Sequence, residues 1–153
     1  MNYTATIEWS RGEGTSDALG YSRAHRWHFD GGAVVAGSSS PHVVPPPLSD
    51  PRAVDPEEAF VAALSSCHML WFLAIAAKRG FVVDHYVDEA EGVMAPTGVR
   101  KLAMTEVTLY PRVSFSGTAP GPDDFETMHH QAHEACYIAN SVRTDVRVKP
   151  TIG

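Results

Sequence analysis

The chain has 153 residues and two cysteines, Cys67 and Cys136, which lie in separate predicted elements. A thiol acts as a nucleophile through its thiolate form, which a nearby cation or a helix N-terminus stabilises. Two thiols with charged residues close to them in the sequence favour redox chemistry. The alternative is that both cysteines are small core residues, since buried free cysteine is common.

Glu57 is the carboxylate of most interest near Cys67. The two residues lie ten positions apart on one predicted helix, about 15 Å along its axis, so they cannot touch within a straight helix. An arginine from elsewhere could pair with both, or Glu57 could come from a second subunit. His68 points about 100° away from Cys67 around the helix and is a poor direct partner. The alternative role of Glu57 is to cap the helix.

The second cysteine follows a histidine-rich run. His129, His133 and Cys136 have the spacing i, i+4, i+7, which allows all three to face one side of a helix, as metal ligands do. No fourth ligand is visible in the sequence. The metal hypothesis therefore stands beside the simpler one of an ordinary polar helix face.

Composition narrows the class of protein. The net charge is −6 with no run of Lys or Arg, which argues against a nucleic-acid partner. The start of the chain has no apolar signal-like segment, so we expect a cytoplasmic protein, in which thiols stay reduced unless they are catalytic or redox-sensing. The length favours a single domain over residues 1–153. There is no Gly-rich phosphate loop, and we expect no cofactor.

The first predicted helix has clear ends. Asp55 is a suitable N-cap, Pro56 fits the first helical position, and Gly80 fits the position after the last turn. Residues 59–77 carry no charge, a length that comes close to spanning a bilayer. Ser65, Ser66, Cys67 and His68 lie at the centre of that run and favour a buried core helix instead of a membrane span. Because the helix is apolar nearly all round, we expect it to be covered on most sides by a sheet or by its twin.

The remaining pattern predicts an α+β fold in the order β-β-β-α-β-β-α-β. A hairpin signal, Asp30-Gly31-Gly32, joins the second and third strands. The Pro-rich segment 38–54 is a long loop, either a lid or a surface connection. The other predicted ranges are strands 3–9, 21–29, 33–37, 81–93, 101–116 and 145–152, turns at 10–20 and 96–98, and a second helix at 123–136 with a short helical continuation to 142.

Two motifs together resemble the OsmC/Ohr family of osmotically inducible and organic hydroperoxide resistance proteins. PEEAFVAALSSC, with a Pro-Glu start ten residues before a cysteine, is similar to the family's signature helix. AHEACYIAN, with a histidine three residues before Cys136, is similar to its second cysteine motif. Three departures mark a divergent branch. Tyr137 follows Cys136 where proline is usual, His68 follows Cys67 where an aromatic residue is common, and the Pro-rich loop is longer than in typical organic hydroperoxide resistance members.

The resemblance implies a fold and a chemistry. Family members are intertwined homodimers, with sheets wrapped around central helices, and they reduce organic hydroperoxides in oxidative stress defence. By motif, Cys67 would be the peroxidatic cysteine, Cys136 the resolving cysteine, and Glu57 the carboxylate that holds an arginine against the reactive sulfur. Arg23 has about the right position for that arginine. The further candidates are Arg26, Arg11 and Arg52.

We therefore expect a homodimeric thiol peroxidase without cofactor or metal. Its partners would be an organic hydroperoxide substrate, favoured by apolar residues such as Trp71 and Phe72, and a dithiol reductant, which the resemblance suggests is of the lipoyl type. We expect no nucleic acid and no membrane. The alternatives are a non-catalytic OsmC-like small-molecule-binding dimer and a His/Cys metal-binding protein.

Overall fold

The computed structural model describes residues 1–12 and 18–153. It divides into two compact units, Met1–Ala59 and Phe60–Gly153. The order of helices and strands is α+β, as predicted. The helices are α1 (Pro56–Lys78) and α2 (Pro122–Ala135), with a 3₁₀ helix at Ala139–Ser141. The strands within the described residues are β1 (Ala5–Glu8), β2 (His25–Phe29), β3 (Val34–Gly37), β4 (Val82–Asp88), β5 (Glu91–Gly98), β6 (Lys101–Leu109), β7 (Pro111–Ser116), β8 (Asp145–Val148) and β9 (Thr151–Ile152).

The first unit contains an antiparallel sheet in the order β1-β2-β3. Trp27 on β2 lies opposite Ile7 on one side and Val35 on the other. The predicted hairpin after β2 is confirmed, with the Phe29 N–H donating to the Ala33 carbonyl at 3.0 Å. The strands are shorter than predicted. The predicted turn at 10–20 falls partly on residues 13–17, which lie outside the described residues.

The Pro-rich segment 38–54 is irregular, as predicted, and the Val54 N–H ties it to the sheet by donating to the Ala36 carbonyl of β3 at 2.9 Å. The Ser38 N–H donates to the Val54 carbonyl at 3.0 Å, which joins the two ends of the segment. The buried Ser38 hydroxyl accepts the Asp50 N–H at 3.0 Å. These bonds favour a fixed connection over a mobile lid.

Both ends of α1 are capped where the sequence predicts. The Glu58 N–H donates to the Asp55 carboxylate at 2.8 Å, and the Asp55 N–H donates to the Glu58 carboxylate at 3.2 Å, which is a capping box. At the other end Gly80 has a φ of +83°, which glycine adopts without a steric penalty. The N–H groups of Gly80 and the next residue reach back to carbonyls of the last turn at 3.0 Å, in a Schellman motif.

One stripe of α1 organises the core of the second unit. Its buried side chains recur every fourth residue and therefore share one face of the helix: Leu64, His68, Phe72 and Ala76. Leu64 packs with Val107 and Leu109 of β6. Phe72 and Ala76 belong to a second cluster, completed by Val113, Phe125, Met128 and Ala132. His68 lies on the same stripe between the two clusters.

The other faces of α1 are apolar but largely exposed in the described chain. Leu70, for example, is 60% exposed. By length and composition α1 could cross a membrane, with a mean hydropathy of 1.9 over its most apolar window. The stripe that packs into two protein clusters is the pattern of a core helix.

The predicted long strands are each divided in two, and their halves lie in different sheets, β4-β7-β9 and β5-β6-β8. At one division the Tyr110 N–H donates to the Asp88 carboxylate at 2.6 Å, and the Ser65 hydroxyl of α1 also donates to that carboxylate. Pro111 lies at the break between β6 and β7, and Pro150 lies at the break between β8 and β9. Neither proline has an N–H to donate to a neighbouring strand. The prediction of continuous strands is wrong here because these groups interrupt the pairing.

Helix α2 ends one residue before the prediction, so Cys136 is its C-cap. The predicted continuation is the 3₁₀ helix. The buried face of α2 consists of Phe125, Met128, His129 and Ala132. Arg79, just after α1, forms an ion pair with Asp124 in the first turn of α2. The predicted turn at 96–98 is displaced to residues 99–100, where Arg100 has a φ of +58°.

Gly37 generates a prediction about packing in the first unit. A Cβ on Gly37 would lie 2.5 Å from Nε2 of His25 and 2.6 Å from Nε1 of Trp27. We expect Gly37→Ala to lower the free energy of unfolding by ~1–3 kcal/mol, as overpacking does, in chemical denaturation. Gly31→Ala is the control, because a Cβ there meets nothing within 4 Å. Equal stability of the two variants would contradict the crowding at Gly37.

Candidate functional site

The structure brings the two cysteine side chains together in the second unit. Both are free thiols, with Cys67 half-buried on α1 and Cys136 only 1% exposed. The side chains of Cys67 and Cys136 lie close enough for each thiol to influence the other. Sulfurs this close can form a disulfide by attack of one on the other once the first is oxidised.

The two thiols differ in environment. Burial, with a smaller contribution from the nearby Cys67, raises the pKa of the Cys136 thiol to about 11. The backbone N–H of Ala139, which donates to Sγ of Cys136 at 3.4 Å, acts in the opposite direction. Cys136 therefore keeps its proton at neutral pH and is a poor first nucleophile. Cys67 is the more accessible sulfur to a substrate.

Cys136 is held in place from both directions along the backbone. Its N–H donates to the carbonyl of His133 in α2 at 3.2 Å, and its carbonyl accepts the N–H of Asn140 at 3.0 Å. The Asn140 side chain donates to the carbonyl of Glu134 at 2.8 Å, which ties the 3₁₀ helix to the end of α2. These bonds position the backbone of Cys136 between the end of α2 and the 3₁₀ helix that begins at Ala139.

A cavity of about 390 Å³ in the first unit contains both Arg23 and Glu57 in its lining. Most of its other walls are apolar or aromatic. They consist of Ile7, Trp9, Tyr21, His25, Ser38, Ser39, Val43 and Pro56. Trp9 and Tyr21 contact each other edge to face, with ring centres 5.5 Å apart. The arrangement can hold an apolar group next to a cation and a carboxylate.

Arg23 is bound to neutral acceptors in this cavity. Its Nη1 donates to the carbonyls of Leu19, at 3.3 Å, and Tyr21. The guanidinium lies 3.8 Å from the centre of the Tyr21 ring. Within the described residues Arg23 and Glu57 form no ion pair. They share the cavity, so the expected pairing would need a rotation of the Arg23 side chain.

The other candidate arginines are placed differently. Side chains alternate along a strand, so Arg26 points to the face opposite His25 and is exposed. Arg52 is 88% exposed and pairs with Asp50 at 3.1 Å. Arg11 lies 5.8 Å from the centre of the Trp9 ring. Among the four arginines that the sequence suggests, Arg23 is the one in the cavity lining.

The second unit contains a pair of buried histidines, His68 and His129, whose contact was not predicted from the sequence. Nε2 of His68 and Nδ1 of His129 are hydrogen-bonded at 3.0 Å, and the rings stack with centres 5.3 Å apart. His129 also stacks on Phe72, with ring centres 4.0 Å apart. The recurrence of apolar residues four positions before and after His68 could have revealed its inward direction, because they share one helix face.

Burial keeps both histidines uncharged. Desolvation, with the charge of His133 as a lesser cause, lowers the pKa of His68 to about 4. Desolvation, with His68 as a lesser cause, lowers the pKa of His129 to about 3. The remaining ring nitrogens, Nδ1 of His68 and Nε2 of His129, have no hydrogen-bond partner among the described residues. Neutral imidazoles can occupy this apolar site, whereas charged ones would be costly.

The histidine run does not form the metal site that its spacing allows. Within the described ranges, 1–12 and 18–153, no group of three His, Cys, Asp or Glu side chains is arranged to hold a metal ion. His129 is directed at His68, and Cys136 is directed at Cys67. The potential ligands thus have different partners.

The fold and the two facing thiols define a class: an α+β protein with a cysteine pair shared between its two helices. The sequence profile of the OsmC-like protein family matches residues 49–151. The chain belongs to the OsmC family.

Solved structures agree with this assignment. An OsmC-like protein of unknown function from Vibrio cholerae O1 biovar eltor is 51% identical over 99% of both chains, with a TM-score of 0.93. An organic hydroperoxide resistance protein from Elizabethkingia anophelis is 15% identical over 100% of this chain and 96% of that one, with a TM-score of 0.71. The organic hydroperoxide resistance protein OhrB of Bacillus subtilis is 15% identical over 100% of this chain and 98% of that one, with a TM-score of 0.63. The latter two share the fold. No curated protein sequence matches significantly.

The histidine pair predicts a loss of stability in acid. The pKa values of about 4 for His68 and about 3 for His129 lie below the ~6.5 of an unfolded histidine. The unfolded chain therefore binds more protons as the pH falls below ~6.5, and the folded state loses up to ~1.4 kcal/mol per pH unit for each histidine. The loss continues until the folded-state pKa is reached.

We expect titration of the pair to lower the free energy of unfolding by about 4 kcal/mol between about pH 7 and about pH 5, measured by denaturation at a series of pH values. His129→Asn places a side-chain amide where Nδ1 lies, so it can keep the bond to His68 while removing one titrating group. It should remove about half of this pH dependence. His130→Asn, at an exposed position, is the control. An unchanged slope in His129→Asn would refute the assignment.

Proposed function

We propose that this protein is a thiol-dependent peroxidase that reduces organic hydroperoxides through Cys67 and Cys136. The observation that carries the proposal is the proximity of the two thiols, of which Cys67 is accessible and Cys136 is buried with a raised pKa. Membership of the OsmC family supports it, because solved structures of the same fold include proteins named for organic hydroperoxide resistance.

The proposed reaction begins at Cys67. Its thiolate attacks the distal peroxide oxygen, the O–O bond breaks, and Cys67 becomes a sulfenic acid. The alkoxide leaves as the alcohol by taking up one proton, equivalent to the one that the Cys67 thiol released. The Cys136 sulfur then attacks the sulfenic sulfur, the S–O bond breaks, and the proton of Cys136 leaves with the hydroxyl group as water. A dithiol, proposed to be of the lipoyl type, reduces the disulfide by exchange and is itself oxidised.

Arg23 and Glu57 are proposed to serve the first step. A thiolate needs a cation, and a carboxylate can hold a guanidinium in a fixed orientation. Arg23 would have to exchange its two carbonyl acceptors for Glu57 and the thiolate, an exchange of neutral partners for charged ones. Because Glu57 and Cys67 lie ten residues apart on one helix, about 15 Å by helix geometry, we propose that a second subunit supplies one side of the site.

A homodimer would also cover α1. The helix exposes apolar side chains such as Leu70, at 60%, on faces that the chain itself leaves open. A second copy of α1 could bury them, which is the usual fate of an exposed apolar surface of this kind. We propose that the dimer acts in the cytoplasm, where a thiol pair can be reduced again after each turnover.

The catalytic proposal is tested with two serine variants, a hydroperoxide and a dithiol. Cys67→Ser should abolish consumption of cumene hydroperoxide, because it removes the sulfur that attacks oxygen. Cys136→Ser should consume one equivalent per subunit and then stop, because the oxidised Cys67 has no partner. Full turnover by either variant would contradict the assigned roles. A wild-type protein that consumes none would favour the non-catalytic binding dimer.

The dimer is tested by charge substitution on α1. Leu70→Glu should shift the chain to a monomer in sedimentation or light scattering, because an unpaired carboxylate in an apolar interface costs more than the roughly 2–7 kcal/mol of an unpaired neutral polar group. The control is Val99→Glu at the tip of the β5–β6 hairpin, where Val99 is 90% exposed. If both variants keep the same mass as the wild type, α1 is not the interface.

A further inference from the structure

His25 makes two hydrogen bonds that determine where its proton lies. Nε1 of Trp27 donates to Nε2 of His25 at 2.7 Å. An indole N–H is always a donor, so Nε2 of His25 must be the acceptor. The proton of the neutral ring is then on Nδ1, which lies 2.8 Å from the carbonyl oxygen of Arg23 and donates to it. One tautomer of His25 thus links Trp27 to the backbone of Arg23.

The neighbouring strand leaves room for this link. Gly37 on β3 is the cross-strand partner of His25. A Cβ on Gly37 would lie 2.5 Å from Nε2 of His25, 2.6 Å from Nε1 of Trp27 and 2.9 Å from Cδ2 of His25. The hydrogen bond between the two rings therefore passes directly over the glycine. Any side chain at this position would displace one of the two rings.

The backbone of Arg23 is held on both sides. Its carbonyl accepts the His25 proton, and its N–H donates to the Leu48 carbonyl in the Pro-rich segment at 2.8 Å. The guanidinium, by contrast, has neutral partners, the Leu19 and Tyr21 carbonyls and the Tyr21 ring. The fixed part of Arg23 is thus its main chain, from which the side chain reaches into the cavity shared with Glu57.

We propose that His25 is a positioning residue for Arg23. It fixes the carbonyl of Arg23 and so determines the backbone position from which the Arg23 side chain extends into the cavity. Trp27 selects the tautomer that can do this, and Gly37 gives the rings space. The proposal deepens the peroxidase function and rests on Arg23 serving Cys67. The charged or titratable groups that line the cavity with His25 are Arg23, Glu57 and Tyr21.

Two variants separate the two bonds of His25. In His25→Asn the side-chain amide lies where Nδ1 was, so it can still donate to the Arg23 carbonyl but cannot reach Trp27. In His25→Gln the amide oxygen lies near Nε2, so it can still accept from Trp27 but cannot hold Arg23. His28→Gln on the same strand is the control, because His28 points to Glu8 at 3.1 Å.

The measured quantity is the rate at which the reduced protein loses thiols to cumene hydroperoxide. We expect His25→Gln to lower this rate about tenfold, the factor that one hydrogen bond commonly represents. His25→Asn, which keeps the bond to the Arg23 carbonyl, should react faster than His25→Gln. In NMR spectra the Trp27 indole N–H signal should move in His25→Asn and stay in His25→Gln. The Arg23 carbonyl carbon signal should show the opposite pattern.

The outcomes distinguish this proposal from the peroxidase proposal. If His25→Asn and His25→Gln react at equal rates, whether normal or reduced, the positioning role of His25 is refuted. A general loss of structure would slow both variants alike, whereas the positioning role predicts that only His25→Gln is slowed strongly. If the wild type itself fails to react, the peroxidase function fails, and the NMR signals alone decide on the link. An Arg23 carbonyl signal that stays at its wild-type position in His25→Gln then overturns it, and one that moves in that variant alone supports it.

Discussion

The need to cover α1 is the constraint on which most of this structure depends. The helix is apolar on nearly every side, so packing one of its faces against a sheet leaves other apolar faces uncovered. Leu64, His68, Phe72 and Ala76 use one stripe of it to organise both clusters of the second unit. Cys67 is adjacent to this stripe and remains half-buried. The same packing that stabilises the second unit thus positions the accessible thiol.

The second thiol is positioned by the end of α2. Because the α-helix stops at Ala135 and a 3₁₀ helix follows, Cys136 occupies a backbone position with defined partners on both sides. Burial there gives Cys136 a raised pKa, which suits a sulfur that reacts second. The two side chains are chemically identical, so the buried surroundings of Cys136 account for its raised pKa and its low accessibility.

Features that depend on local sequence could be predicted. The capping box at Asp55 and the left-handed Gly80 are confirmed, because the signals lie within a few residues of the structure they determine. The strand breaks could not be predicted, because the Asp88 carboxylate interrupts the ladder at Tyr110, far away in sequence. The pairing of His68 with His129 is equally non-local, at a separation of 61 residues.

The candidate site also combines features that the sequence predicted with features that it did not. The two motifs indicated Cys67 and Cys136, and the structure brings their side chains together, whereas their catalytic roles remain proposals. Arg23 and Glu57 share a cavity in the first unit without pairing, and sequence spacing carries no information about side-chain rotation. His25 went unnoticed, although strand alternation places Arg23, His25 and Trp27 on one face.

The most direct test of the central claim is the intact mass of the reduced protein after one equivalent of cumene hydroperoxide. The account predicts that both thiols disappear within seconds, that the mass falls by two hydrogens, and that peptide mapping finds Cys67 joined to Cys136. Two thiols that remain free after many minutes would contradict it, and the cysteine pair would then be part of the core rather than a reaction centre.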